Sequence, residues 1–211
     1  MQQRSIETRN KVVEAAVATL AEQGFAGTTV NEICERAGVS QGGLFRHFAS
    51  KETLYTAVIE HVFADFTAQF LEELPKLGAL ARDDDTLTDR ARRLVGMMWE
   101  IFHTPTLLAG AELYVAARVN EDLAQRLATA QASHRGQLLV MVQAFFPEYA
   151  DHPDLVDLAF IAVDAIRGFI LGNFGYAHPT LVSMDRPSEQ FLDLVTTILT
   201  NHLVSTVPAP S

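Results

Sequence analysis

The chain has 211 residues, 48% of them hydrophobic and 20% charged, which is apolar material for one or two cored domains and excludes disorder as the main state. Sixteen Lys and Arg against 26 Asp and Glu leave a net charge of −10, which excludes coating of nucleic acid by bulk electrostatics but not a local basic surface. The single Cys34 excludes an intramolecular disulfide framework and a multi-cysteine zinc site, and favours a reducing compartment.

The N-terminus, MQQRSIETRNK, has no apolar run of the kind that opens a secretory signal. Helical spacing then runs through almost the whole chain, and no alternation of apolar and polar residues lasts long enough for a strand, so an all-α fold is expected. The first helix is expected from about Ile6 to Gln23, with Ser5 as N-cap, Val12, Ala16 and Leu20 on one face, and Gly24 as the stop. Thr28 and Thr29 precede a short second helix, where one hydroxyl would cap; Val30, Ile33, Cys34 and Ala37 form its single apolar face and Gly38 ends it. Ser40 caps a third helix reaching about Phe48. Ser50 starts a fourth that runs to about Leu74, where Pro75 is expected to stop it. PKLGALARDDD reads as a loop, and longer helices follow near 86–103, 105–118, 120–146, 153–176 and 187–204, with VPAPS as a frayed tail. The long apolar stretch from Leu155 to Tyr176 is broken by Asp157, Asp164 and Arg167, a poor membrane span. A soluble, cytoplasmic protein with no membrane partner is expected.

Charge divides at residue 61. Residues 1–61 hold six cations (Arg4, Arg9, Lys11, Arg36, Arg46, Lys51) against seven acids, whereas the remainder holds ten against nineteen, so the first part is the freer to approach a polyanion. Arg4 stands in an N-terminal arm with two readings, one that enters a minor groove or contacts phosphate and, favoured for a single Arg, one that is disordered. Two short helices joined by a Gly-containing turn, after a longer first helix, are the ingredients of a helix-turn-helix. On the third helix Leu44 and Phe48 define the core side, and Gly42, Gly43 and Arg46 point away, with Phe45 and His47 at the boundary. Two adjacent glycines cost a helix about 1 kcal/mol each against alanine. They have two readings: a loosened connector, or side chains removed where backbone must approach a major groove closely, with Gln41 and Arg46 left to reach base edges.

The string GFAGTTVNEICERAGVSQGGLFRHFASKETL, Gly24 to Leu54, resembles the N-terminal domain of the tetracycline-repressor (TetR) family of bacterial transcriptional regulators. The paired Thr, the GVS turn, the L-aromatic-x-H-F run and the S-K-E start of the fourth helix carry the resemblance, which covers about the first sixty residues. It implies a DNA-binding domain over residues 1–50 and a ligand-binding and dimerisation domain over 51–211, with the fourth helix, 51–74, linking them. By position it implies that Thr29 and Lys51 contact phosphates, that Gln41, Gly43 and Arg46 lie at the base-reading surface, and that His47 contacts the backbone. The family usually carries Tyr where this chain has Phe45; without the hydroxyl that position offers an apolar contact to sugar or thymine methyl. Physics supports Lys51 independently, since the first turn of a helix already favours an anion. For Thr29 capping alone is a sufficient reading, and His47 serves equally as a half-buried spacer.

Beyond the fourth helix motifs end. The helix at 153–176 is apolar nearly all round, and the last has Phe191, Leu194, Val195 and Ile198 on one side. Such faces need cover, so the last two long helices are expected to pair with a second copy through Ile166, Phe169, Phe191, Leu194, Val195 and Ile198; the resemblance implies the same homodimer. Gly168 and Gly172 would permit a close crossing at that seam, or are core packing residues. Asp164 and Arg167 are expected to form an intrahelical ion pair. Met98, Trp99, Phe102, Met141 and Phe145 on the middle helices read as plain core or as a cavity for an apolar effector, with His103, Tyr114, Glu112 or Arg118 as orienting polar groups. Asp151, His152 and Asp154 read as charge at a helix start. No GxSxG, HExxH, P-loop or GxGxxG occurs, and the seven His have no metal-ligand spacing, so neither an enzyme, a metal nor a cofactor is expected. The resulting expectation is a homodimeric repressor released from a palindromic double-stranded DNA operator by a small apolar or amphipathic effector. The alternatives are an activator, or a helical small-molecule-binding protein without operator repression.

Overall fold

A computed structural model describes residues 2–79, 84–176 and 188–206. Among them are nine α-helices, a single 3-10 turn at Pro147–Tyr149 and no strand. The helices are α1 (Gln2–Gly27), α2 (Val30–Ala37), α3 (Gln41–His47), α4 (Lys51–Ala79), α5 (Leu87–Phe102), α6 (Pro105–Ala117), α7 (Glu121–Phe145), α8 (Leu155–Tyr176) and α9 (Ser188–Thr206). They gather into two compact units, residues 1–68 with 104–134, and residues 69–103 with 135–211.

The first unit has one core. Val12, Ala16 and Leu20 of α1, Ile33 and Cys34 of α2, Leu44 of α3, Leu54 and Val58 of α4, and Leu113 of α6 are all buried. Burial pushes the Cys34 thiol up, which keeps it protonated and makes it a small apolar packing group. Gly24 interrupts α1 with φ 70° and ψ 173°, a backbone region open essentially to glycine, and the chain turns there toward α2. The turn is held twice: the buried Thr28 hydroxyl donates to the Gly24 carbonyl (2.7 Å), and the Phe25 N–H donates to Glu112 Oε2 on α6 (3.1 Å). Glu112 therefore ties α6 to the α1–α2 joint. α6 also lies tightly on α4, since a Cβ at Gly110 would meet Val62 Cγ1 at 2.8 Å.

Two helix ends differ from expectation. Ser5 lies inside α1 and does not cap it, because the helix already begins at Gln2: the Thr8 hydroxyl donates to the Arg4 carbonyl (2.8 Å), the back-bond of a residue in regular helix. Gln, Gln and Arg are adequate helix formers and nothing among them breaks the turn, so Arg4 rides on α1 and not on a disordered arm. Nor does Pro75 stop α4, which continues to Ala79. Proline's fixed φ is helical, and its steric demand falls on the carbonyl four residues earlier, at Leu71, whose side chain is on the exposed side of the helix where that carbonyl can take water.

In the second unit α5 starts in a capping box: Thr86 accepts from the Asp89 N–H (3.2 Å) and the Asp89 carboxylate accepts from the Thr86 N–H (2.9 Å). Met97, Met98, Ile101 and Phe102 of α5, Met141 and Val142 of α7, Leu158 and Ile166 of α8, and Val195, Leu199 and Leu203 of α9 form its core. Asp164 and Arg167 pair within α8 at 3.2 Å as expected. Asp154 accepts from His202 Nε2 on α9 (2.8 Å), so this end of α8 is tied to α9. No described helix is long and apolar enough to cross a membrane, and no described group of His, Cys, Asp and Glu could hold a metal ion.

Candidate nucleic-acid interface

α2 and α3 are each started by a side chain chosen for the purpose. Thr29 accepts from the Glu32 N–H (3.3 Å), and the Glu32 carboxylate takes both the Thr29 N–H (3.0 Å) and its hydroxyl (2.8 Å). These bonds, with the hydroxyl foremost, hold the Glu32 carboxyl below the usual carboxylate range. The Thr29 hydroxyl proton is thus committed to the cap. Gly38, at φ 67°, closes α2 in the left-handed conformation. Ser40 Oγ then accepts from the Gly43 N–H (3.0 Å) and starts α3, and Ser50 Oγ accepts from the Thr53 N–H (3.3 Å) and starts α4.

With Leu44 and Phe48 buried, the outward face of α3 is Gln41, Gly42, Phe45 and Arg46. Gly43 and His47 are half-buried at its edge. Phe45 leaves 44% of its surface in solvent, unusual for a large ring with a core beside it. A Cβ at Gly42 would meet nothing in the chain nearer than the Ser40 Oγ at 4.0 Å, so no intramolecular contact requires glycine there. The Gln41 amide donates to Asn31 Oδ1 on α2, which fixes the direction of Gln41. Asn31 was not among the expected interface residues; its solvent-facing place on α2 beside α3 emerges only once the two helices are packed. Lys51, in the first turn of α4, holds Nζ 5.3 Å from the Tyr55 ring centre and 5.9 Å from that of Phe25, which orients its ammonium without neutralising it.

The two units differ sharply in how their cations are used. In the second unit every described Lys and Arg is paired: Lys76 with Glu72 and Glu73, Arg90 with Glu148, Arg92 with Asp193, Arg93 with Asp85, Arg135 with Asp157, and Arg167 with Asp164. In the first unit Arg36 is paired with Glu22 and Arg126 with Asp122. Arg4, Arg9, Lys11, Arg46, Lys51 and Arg118 have no carboxylate within ion-pair reach among the described residues. Five of these six lie in the first 51 residues, on α1, α3 and the start of α4, so among the described residues the unpaired positive charge is concentrated there.

The residues expected to line an effector cavity divide differently. Tyr114 and Arg118 belong to the first unit, and Arg118 is exposed. In the second, an apolar cavity of about 40 Å³ lies among Phe70, Leu94, Val95, Met98, Leu138, Val142, Phe146, Leu155, Leu158, Leu199 and Leu203, with three alanines completing it. Met98 is the one expected residue on its wall. Phe102 and Met141 are buried beside other core residues, and Phe145 meets Phe146 edge to face at 4.9 Å. Trp99 and His103 pack on each other at 4.4 Å, and Trp99 meets Phe169 at 5.5 Å and Phe191 at 6.2 Å. The structure therefore joins two expected effector residues and two expected dimer residues in one aromatic cluster. Of the remaining dimer positions, Ile166 and Val195 are buried inside the subunit and offer no surface to a partner, while Leu194 and Ile198 stand 63% and 62% exposed. Gly168 and Gly172 face open space: an added Cβ at either meets no atom within 4 Å.

Residues 12–58 match the family described as bacterial regulatory proteins, tetR family. The chain is 34% identical over 134 residues to the HTH-type transcriptional repressor Rv3405c of Mycobacterium tuberculosis, covering 60% of this chain and 68% of that one. It is 25% identical over 169 residues to the HTH-type transcriptional regulator CymR of Pseudomonas putida, covering 79% of each. In fold it is similar to the multidrug binding protein EbrR, solved in complex with imidazole, with a TM-score of 0.62 at 20% identity over 96% of both chains.

Proposed function

Because the chain belongs to the TetR family of helix-turn-helix transcriptional regulators, we propose that it is a homodimeric repressor that sets α3 of each subunit in a major groove and leaves its operator when a small apolar effector binds. The observation that carries the DNA-reading part is the outward face of α3, where Arg46 and Gln41 flank a glycine that no contact within the chain requires. Gln41 and Arg46 read base edges, Gly42 and Gly43 let the helix backbone approach, and Phe45 meets sugar or a thymine methyl. Lys51 and His47 meet backbone phosphates. Thr29 stands beside them, with its hydroxyl held by the α2 cap.

The second copy packs on the exposed face of α8 and α9, where Ile161, Leu194 and Ile198 lie in solvent and Gly168 and Gly172 leave room for a helix to approach. Phe169 and Phe191, half-buried and stacked at 4.2 Å, border it. The effector enters the apolar cavity of the second unit. Its wall carries no polar group, and similarity to a multidrug binding protein accords with recognition by apolar surface. At about 40 Å³ it holds no drug-sized molecule as it stands, because ligand sites run to roughly 300–1,000 Å³. Binding must therefore displace the wall, and Phe70, part of that wall, is on α4, the helix that begins with Lys51. Movement of α4 alters the setting of α3 on DNA and lowers operator affinity.

Selection from random DNA with the purified protein tests the reading. It is expected to return a near-palindrome whose half-sites are about 34 Å apart, one helical turn. No enrichment, or an unpaired half-site bound by one subunit, would contradict it. For release, an apolar compound that dissociates the complex must bind the free dimer more tightly than the DNA-bound one; equal affinities shift no equilibrium and would exclude the mechanism.

A further inference from the structure

Arg9 lies on α1, outside the two short helices. It projects from α1 into solvent, yet its guanidinium carbon lies 5.2 Å from the centre of the Phe48 ring. Phe48 is the C-cap of α3, fully buried and tied to that helix by its N–H bond to the Leu44 carbonyl (3.0 Å). The contact therefore fixes a positive charge of α1 at the end of the helix that presents Gln41 and Arg46, three residues before Lys51. A ring face orients a cation without cancelling its charge. No carboxylate lies within ion-pair reach of Arg9 among the described residues, whereas Arg36, on the neighbouring α2, is closed off by Glu22. Shielding Phe48 would need only an aliphatic stem, and favouring the C-terminal end of α3 would need only any cation. A guanidinium held at a fixed place, charged and open to solvent, has the further property of a fork of donors suited to phosphate oxygens.

From this placement we infer that Arg9 is a DNA-backbone contact, a phosphate clamp on α1 that positions α3 from its C-terminal side. The inference rests on the reading of α3 as the recognition helix. Its source of phosphate is the duplex flanking the bases that Gln41 and Arg46 reach. Phosphate contacts set register without carrying sequence information, so Arg9 contributes equally on any sequence.

The test compares wild type with Arg9→Met, which keeps an unbranched stem over Phe48 and loses the charge, and Arg9→Lys, which keeps the charge. Binding is followed by anisotropy on the duplex selected by the wild-type protein and on an unrelated duplex of equal length, across a salt series. For Arg9→Met the slope of log K against log salt becomes shallower by about 0.9 for each Arg9 that meets phosphate, affinity falls by the same factor on both duplexes, and Arg9→Lys restores the slope. A wild-type slope for Arg9→Met, or a loss confined to the selected duplex, overturns the inference while leaving the α3 reading intact. Modification of wild-type arginines by phenylglyoxal, with and without the selected duplex, needs no variant to fold: Arg9 is protected together with Arg46, and protection of Arg46 without Arg9 overturns the clamp. A wild-type protein that binds neither duplex overturns the α3 reading itself.

Discussion

Arg46 and Lys51 both carry charge that no described carboxylate neutralises, but they make different demands on DNA. Arg46 stands on the outward face of α3, where the proposed reading gives it base edges, whereas Lys51 is held by two aromatic rings at a helix start that already favours an anion. Arg46→Ala should cost roughly 1–3 kcal/mol of operator affinity and relax discrimination at a single base position, while Lys51→Ala should weaken binding alike on all sequences and reduce the salt slope by about 1. Anisotropy on operator variants measures both, and identical behaviour of the two would remove Arg46 from base contact. Gly24 is a residue of another kind, required by shape. Its backbone at φ 70° excludes other side chains, and a Cβ there would also meet Glu112 Oε2 at 3.0 Å. Gly24→Ala should lower unfolding free energy by about 1–3 kcal/mol, measured by urea denaturation; wild-type stability would show that the α1–α2 joint tolerates another geometry. The break at Gly24 and the outward position of Arg46 on α3 are legible from residue type and spacing. Glu112 and Arg9 were not, because each acts on a residue far from it in the chain, Phe25 for one and Phe48 for the other, and only packing brings those pairs together.

Helix caps are the local feature most legible in the sequence. Thr29, Ser40 and Ser50 start α2, α3 and α4 as short polar side chains in the right place should. The rule failed where it met helix formers or proline: Ser5 is overrun because nothing before it resists helix, and Pro75 is passed because its penalty falls on a solvent-facing turn. The α2 cap also sets a pH response. Glu32 is held below its ordinary value of 4.5 by the Thr29 hydroxyl and backbone N–H, so folding favours its charged form. Its contribution is complete above that ordinary value and is lost as pH falls through the lowered one. Glu32→Gln, which can still accept from the Thr29 N–H, should flatten the acid side of the stability profile below about pH 4.5, the carboxylate range. Urea midpoints measured from pH 3 to 7 check this, and parallel profiles for variant and wild type would place the acid sensitivity elsewhere, for instance on the Asp89 cap of α5, whose carboxyl the Thr86 hydroxyl lowers likewise.

Among the described residues, most cations without a carboxylate partner lie in the first 51, while Ile161, Leu194 and Ile198 are exposed on α8 and α9. Leu194→Glu with Ile198→Glu should turn the proposed dimer into monomers in sedimentation and weaken operator binding without unfolding the subunit, since both side chains are already in solvent; an unchanged sedimentation coefficient would contradict a dimer seam on this face. The sequence could identify the last two helices as bearing an apolar excess, yet it could not separate Ile166 and Val195, turned into the subunit, from Leu194 and Ile198, turned out. Periodicity marks an apolar helix but not which of its faces the same chain covers. The cavity was equally illegible, because its wall draws on α4, α5, α7, α8 and α9 through ordinary core residues that no motif distinguishes. Whether α3 reads DNA is decided by fluorescence anisotropy of the wild-type protein on its selected duplex and on a scrambled duplex of the same composition, across a salt series. A DNA-reading α3 gives tighter binding to the selected duplex at every salt concentration, with both affinities falling steeply as salt rises. Equal binding to the two duplexes throughout the series would contradict it.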